Sequence, residues 1–524
     1  MKNPKLILIL IIISINLLIF LPSLKGGFVW DDYELIVDNS LLKTQNVIKT
    51  MFTPFGYGGF NSLLYRPIVS LSYKLDYLIY GLNPSGFHLT NIIIHTLNAI
   101  LIFFILFYLF KDLKISFISS VVFSVFPSHF ENVSWISGRT DLIAMFFTLL
   151  TVLFFIKYFN NDNKMFLYFS SITFFLAILS KEVSVLIIIL LIYFLFYKNI
   201  KFSKAVNIFL TYFITIPVYV FLKLSLTQDT NLIFTYERAI TFLSLIGFYF
   251  KKLIFPFVNT FSIDELGLIS DKTNLILGIL VIFILFFFNF KFFFTKKYKN
   301  RGMILFSMSI LFVLLYSSLL FFENVISIAG FRFLYFPSLF YMIFLILIIE
   351  KIINKNIIKN SFYLIIILVF SVNLYSMNKY FSVKNQNDFW KQFKSIDNES
   401  IMVKFNYASS ILEVNEEKAL KIFNNILKYY KGHINYNYYR KEIYETFASY
   451  YTNKRDLKKA DYYFKKLDNK KIRVDTRFDF YYFLFLKGKK NVAFELARKF
   501  YLEYKNVNRV KYFYYLFLKK TKKL

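Results

Sequence analysis

The run HLTNIIIHTLNAILIFFILFYLF, from His88 to Phe110, decides the fold of this chain. A helix rises about 1.5 Å per residue, so a run of this length covers the roughly 30 Å hydrocarbon core of a bilayer. Its second half is apolar on every side, as a membrane span requires. Its first half is not: His88, Asn91, His95 and Asn98 recur at spacings of three, four and three, which puts them in one stripe on one helix face. Polar groups turned to lipid are costly. The stripe therefore faces either a cavity, where histidine could move protons or bind substrate, or neighbouring helices that it pins together.

Working outward, similar apolar runs predict spans at about 6–21, 114–128, 141–158, 165–180, 183–197, 204–226, 273–294, 303–322, 338–350 and 361–376. With 88–110 these make about eleven, and the expected fold is an all-α polytopic membrane protein. No small-residue cleavage site follows the first run, so it reads as a retained span. Composition agrees, since 57% of the 524 residues are hydrophobic and 22% aromatic, whereas soluble domains are about 45–50% apolar. The absence of cysteine excludes a disulfide framework, a thiolate metal site and a thiol nucleophile. A histidine metal site has little support either, because the only other histidines, His129 and His433, show no familiar ligand spacing.

The net charge of +31, from 63 Lys and Arg against 32 Asp and Glu, would suit nucleic acid. Its basic residues interrupt apolar runs, however, which points to loops at a lipid bilayer and to no nucleic-acid partner. With the N-terminus inside, Lys111–Lys114, Lys157–Lys164, Lys198–Lys204, Lys296–Arg301 and Lys351–Lys359 all fall on the cytoplasmic face. This parity requires the stretch 239–255, which contains Lys251 and Lys252, to be an interfacial or re-entrant helix. It also places a second domain, 378–524, outside, after a transmembrane domain over 1–377. In that second domain Asn415–Leu427, Lys454–Leu467 and Gly488–Tyr501 resemble one another. Each sets a small residue, Ala419, Ala460 or Ala493, where helices would cross, followed four residues later by Phe423, Phe464 or Ala497. The spacing from Ala460 to Ala493 is near the tetratricopeptide period of about 34, so a tetratricopeptide-like helical array is expected.

The external segments carry the chemistry. The long first loop, 23–87, opens on Phe28-Val29-Trp30-Asp31-Asp32-Tyr33. Two adjacent carboxylates repel, so Asp31 and Asp32 are expected to share a proton or to hold a divalent cation such as Mg2+ or Mn2+, a solvated turn being the structural alternative. In a chain that prefers lysine, the membrane part has only Arg66, Arg139, Arg238, Arg301 and Arg332, four of them external. The guanidinium fork suits phosphate and carboxylate, so an external anion site is expected. The alternative is pairing with Asp76, Glu131, Asp141 or Glu237. Lys181 beside Glu182 adds a charged pair to the same face. Acids, arginines and aromatics converging there suit an amphiphile with an anionic head and a lipid tail.

In chain order, WDDYELIVDN, YRPIVSLSYKLDYLIYGLNPSGFHLTNIIIHTLN, FPSHFENVSWISGRTDLIA, LSKEVSV and FRFLYFPS together resemble bacterial relatives of the transmembrane-and-tetratricopeptide-repeat O-mannosyltransferases, of the GT-C class of membrane glycosyltransferases. The resemblance implies inverting transfer of a sugar from a polyprenyl-phosphate carrier to a hydroxyl of a protein or envelope glycan, at the external face of the cytoplasmic membrane. It implies that Asp31 or Asp32 is the general base, the other orienting the acceptor or holding the metal. Arg66, Arg139, Lys181 and Arg332 would neutralise the lipid phosphate, and His88, Asn91, His95, Glu131, Asp141 and Glu182 would line the substrate cavity. Members of that family carry an acid just before the last arginine, where this chain has Gly330-Phe331. The competing readings are an envelope polysaccharide polymerase or ligase and a non-catalytic membrane scaffold.

Overall fold

The computed structural model describes residues 4–39, 41–43, 47–55, 64–227, 234–257, 271–295, 301–321, 330–396, 400–431, 436–467, 472–503 and 508–522. Parts of the first loop, residues 296–300 of one basic loop and His433 lie outside these. Among the described residues every regular element is a helix.

Helices stand at each expected span: α1 (Pro4–Phe20), then, past the short helix α2 (Pro67–Tyr80), α3 (Pro84–Phe110), α4 (Leu113–Ser124), α5 (Arg139–Asn161), α6 (Lys164–Ser180) and α7 (Ile187–Tyr197). The pair α8 (Phe202–Phe213) and α9 (Thr215–Leu226) follows, then α10 (Tyr236–Ile254), α11 (Lys272–Thr295), α12 (Arg301–Ser318), α13 (Tyr335–Ile352) and α14 (Asn356–Asn378). Six segments are long and apolar enough to cross a bilayer, and a seventh is α4 with Pro127–Val133, bent by 50° between them. Four shorter apolar helices, Lys164–Ser180, Glu182–Phe196, Lys272–Phe287 and Ile304–Ser318, occupy the remaining expected positions. The protein is therefore a multi-pass membrane protein with six to seven full-length candidates among the described residues.

Local sequence sets the hairpins. Lys111 takes a left-handed φ of 58°, ending α3, and Asp112 caps α4 by accepting the Ile115 N–H at 3.0 Å. Asp162 repeats the turn at φ 48°, and Asn163 caps α6 through the Met165 N–H at 2.9 Å. Short polar residues satisfy the free N–H groups of a helix start, so two residues suffice to reverse a span. The stretch 239–255, expected as an interfacial or re-entrant helix, packs antiparallel along α11. Gly247 and Gly278 lie so close that a β-carbon on either would strike the carbonyl of Asn274 or of Leu243. That contact makes α10 part of the helical body.

The ends of the bundle differ in charge. On one face Lys5 lies 4.0 Å over Phe107, and Glu350 pairs with Lys359 at 2.6 Å and Lys114 at 3.6 Å. The other face carries Asp31, Glu131 and Arg332. Beyond α14, helices Gln386–Ile396 to Asn508–Lys522 form packed neighbours. Ala419, Phe423, Ala460, Phe464, Ala493 and Ala497 are all buried there.

Candidate functional site

The end of the bundle opposite the lysine-rich face is built around the segment 26–38, which leaves α1 and folds back over the ends of α3, α5 and α13. Trp30 adopts φ 52°, a left-handed backbone that a bulky residue rarely takes. The turn it makes separates the two carboxylates that follow. Asp32 is fully buried. Its Oδ2 accepts the Val29 N–H at 3.0 Å, and its Oδ1 accepts both the Ser137 N–H at 2.9 Å and the Ser137 hydroxyl. Asp31 is only partly buried. Burial pushes both carboxyls up to about 7. Near Asp31, Glu34 and Glu131 push in the same direction and Arg332 opposes them. Near Asp32 the Ser137 and Val29 hydrogen bonds oppose the rise.

The expectation of a metal held by Asp31 and Asp32 does not fit these donors. Asp32 already takes three N–H or O–H donors, Arg332 stands beside Asp31, and no group of three His, Asp or Glu able to hold a metal exists among the described residues.

Arg332 is the best-placed cation. Its guanidinium pairs with Glu131, whose other oxygen accepts the Arg332 backbone N–H at 3.0 Å. The acid missing at Gly330-Phe331 is thus supplied across 201 positions. The guanidinium carbon lies 4.6 Å from the Phe333 ring centre, 5.5 Å from Trp135 and 5.8 Å from Trp30. Trp30 stacks on Trp135 at 4.8 Å and meets Trp390 edge-on at 5.6 Å. All three tryptophans of the chain meet here. Trp390 comes from the helix after the membrane part, and its convergence had no local signal beyond tryptophan's rarity in this sequence. Ser137, the partner of Asp32, was likewise missed.

A second charged group lies beside it. Lys181 donates to Asp141 at 2.7 Å and lies 4.8 Å over Tyr316 and 5.5 Å over Phe333. Tyr316 donates to the same Asp141 oxygen at 2.8 Å. Lys181 does not pair with its neighbour Glu182, which instead takes Arg66 at 3.1 Å. The Arg66 and Glu182 side chains keep 12% and 26% exposure, against 5% and 2% for Lys181 and Asp141, so only the first pair can meet a ligand without rearrangement.

Arg139 is placed otherwise than expected. It is fully buried, paired with Asp76 at 2.6 Å, and donates to Asn91 Oδ1 and the Phe87 carbonyl, both at 2.7 Å. With Tyr73 and Phe87 against its guanidinium, it has no open side for phosphate. Of the polar stripe on α3, Asn91, His95 and Asn98 pin neighbouring segments together. Asn91 donates to the carbonyls of Val133, Trp135 and Ile136 at 3.0–3.3 Å. His95 bridges the Tyr335 hydroxyl at 2.8 Å and the Ser124 carbonyl at 3.2 Å, Asn98 reaches Leu142 and Tyr335, and His88 is buried against Gly26. None of His88, Asn91 and His95 lines an open cavity. Arg238 is buried in the first helical turns of α10, and the Arg301 side chain lies outside the described residues.

No family model matches the chain. Part of it is similar to protein O-mannosyl-transferases. TMTC3 of Homo sapiens is 34% identical over 169 residues, 31% of this chain and 18% of that protein. F38B6.6 of Caenorhabditis elegans is 31% identical over 157 residues, 28% and 23% of the two chains. TMTC4 of Homo sapiens is 30% identical over 174 residues, 30% and 24%. The chain spans about a fifth of the length of these relatives. In structure it is similar to an Archaeoglobus fulgidus oligosaccharyltransferase crystallised with a tethered acceptor peptide, at a TM-score of 0.41 and 12% identity, over 81% of this chain and 59% of that one.

Proposed function

We propose that this chain is a membrane glycosyltransferase that moves a sugar from a polyprenyl-phosphate donor to a hydroxyl of a protein or glycan acceptor, on the membrane face bearing Asp31. The reading takes its reaction class from the O-mannosyl-transferase relatives. The observation that carries it is the division of labour between two adjacent acids: Asp32 is consumed by Val29 and Ser137, while Asp31 stands partly open beside the Arg332–Glu131 pair.

Asp31, with its carboxyl at about 7, suits a general base, which works best near the operating pH. The acceptor oxygen attacks the anomeric carbon and its proton passes to Asp31. The carbon–oxygen bond to phosphate breaks on the opposite side, inverting the centre, and lipid phosphate leaves with the electron pair. Arg332, held in place by Glu131 and three rings, neutralises that phosphate, with Arg66 as a second exposed cation. Asp32 is a positioning residue for the turn. Lys181 and Asp141 support Arg332 through Phe333. In this reading the eleven apolar helices each cross once, Asp31 faces outward from the cytoplasmic membrane, and 378–524 is a tetratricopeptide-like domain that completes the site through Trp390.

The test is transfer of labelled mannose from polyprenyl-phosphate mannose to membrane acceptors by vesicles containing the full chain. Transfer by the wild type and its loss in Asp31→Asn at equal abundance support the reading. Equal transfer by wild type and Asp31→Asn would overturn the base assignment. A wild type inert toward lipid-phosphate-linked sugars would overturn the reaction class.

A further inference from the structure

A cavity of about 220 Å³, lined by neither Asp31 nor Arg332, lies among α3, α5, α7, α12 and α13. Its walls are apolar: Leu106, Val152, Ile156, Leu191 and Ile343 are buried side chains that line it. It runs along α5 from Thr148 to Asn160, about 18 Å at helical rise. Apolar space of this kind favours apolar guests over water. Its mouth is polar, formed by Tyr108, Asn160 and Lys198, of which Asn160 and Lys198 are exposed. Lys201 and Lys204 follow Lys198 along the chain, and this end of the bundle is the lysine-rich face of Lys111, Lys114 and Lys359.

We infer that this cavity binds one acyl chain of an anionic phospholipid from the leaflet at the lysine-rich face, its headgroup resting on Lys198. Charge complementarity chooses this occupant. A lysine at the surface of a bilayer attracts an anionic headgroup, and the apolar channel behind it accepts the tail. A polyprenyl-phosphate donor would set its anion at Arg332, at the opposite ends of α5 and α13, and would leave only hydrocarbon at the Lys198 mouth. The inference does not depend on the reaction proposed above, because its readout is lipid occupancy.

The experiment reconstitutes the full chain in phosphatidylcholine vesicles with a trace of phosphatidylglycerol or phosphatidylcholine carrying a photoreactive diazirine midway along one acyl chain, and maps the cross-links by mass spectrometry. Cross-links on Val152, Leu191 or Ile343 from the phosphatidylglycerol probe, well above those from phosphatidylcholine, are expected. Lys198→Glu, an exposed change, should lower this labelling about five-fold or more, and Val152→Phe, which narrows the channel, should lower it without altering the headgroup preference. Equal labelling by both probes, no response to Lys198→Glu, or cross-links confined to outward residues such as Ile172 and Leu210 would overturn the inference. Preferential labelling of the cavity by a photoreactive polyprenyl phosphate would overturn it too, assigning the space to the donor's tail.

Discussion

Asp32 and Ser137 are joined twice: one carboxylate oxygen of Asp32 accepts both the backbone N–H, at 2.9 Å, and the hydroxyl of a serine 105 positions later. This relationship ties the segment after α1 to the start of α5 and holds the residue before it, Asp31, near Arg332. It also separates two acids that stand side by side in sequence. Asp32→Asn replaces one acceptor oxygen with an NH2 group that must face at least the Val29 N–H donor, so we expect a loss of about 1–3 kcal/mol in stability. Asp31→Asn should leave the melting temperature nearly unchanged below about pH 4, raise it as pH approaches 7, and reduce transfer at least about 100-fold. Thermal unfolding in detergent together with transfer rates separates the two.

The pH dependence follows from the same residue. Burial raises the Asp31 carboxyl to about 7, and a base acts when deprotonated, so kcat/KM should rise with pH through about 7 and then level. For stability the sign is opposite. The folded value lies above the ordinary 3.8, so the folded state holds this proton more tightly, a stabilisation complete below about pH 4 and lost as pH rises through 7. Asp31→Asn should flatten part of that fall. A pH–rate profile without an inflection between pH 6 and 8 would count against Asp31.

Arg139 and Asp76 form a buried pair at 2.6 Å. Removing one partner leaves a buried charge, so Arg139→Met or Asp76→Leu alone should cost about 3–5 kcal/mol, and the double variant distinctly less than their sum. Donor KM in the folded double variant should stay within a few-fold of wild type. A large rise in donor KM would restore Arg139 to the phosphate site.

Arg332→Lys keeps the charge but loses the paired geometry with Glu131 and the stacking on Phe333, Trp135 and Trp30. We expect donor KM to rise about ten-fold or more with acceptor KM little changed. Trp390→Ala should weaken donor use in the same direction, and Trp390→Phe should retain most of it; initial-rate kinetics with both substrates varied decides this.

The absence of cysteine allows topology to be read by single-cysteine labelling. Cysteines at Lys204 and Lys489 should react with an impermeant maleimide from opposite sides of sealed membranes, Lys489 from outside. Labelling of both from one side would overturn the proposed span count.

Much of this architecture is legible along the chain. Apolar runs of bilayer length mark the helices because a span must satisfy its own backbone and offer hydrocarbon to lipid. Polar punctuation such as Lys111-Asp112 and Asp162-Asn163 marks the turns because a helix start needs acceptors for its free N–H groups. The short helices α6, α7 and α12 are harder to judge, since their neighbours, as much as their length, determine how they sit in the bilayer. The packing of α10 on α11 through Gly247 and Gly278 is invisible locally, because a glycine contact needs its partner's position.

The amino-acid sequence by itself determined that this is an all-helical, multi-pass protein with acids and arginines gathered at one end, because hydrophobic length and charge periodicity act locally. Only the tertiary structure decided what each charged residue does. Arg139 and Arg332 are the same residue type in similar motifs, yet one is sealed against Asp76 and the other stands beside a partly open Asp31. Asp31 and Asp32 differ by one position, yet one is locked by Ser137. Burial and partner geometry separate these roles, and both arise from contacts between residues far apart in the chain.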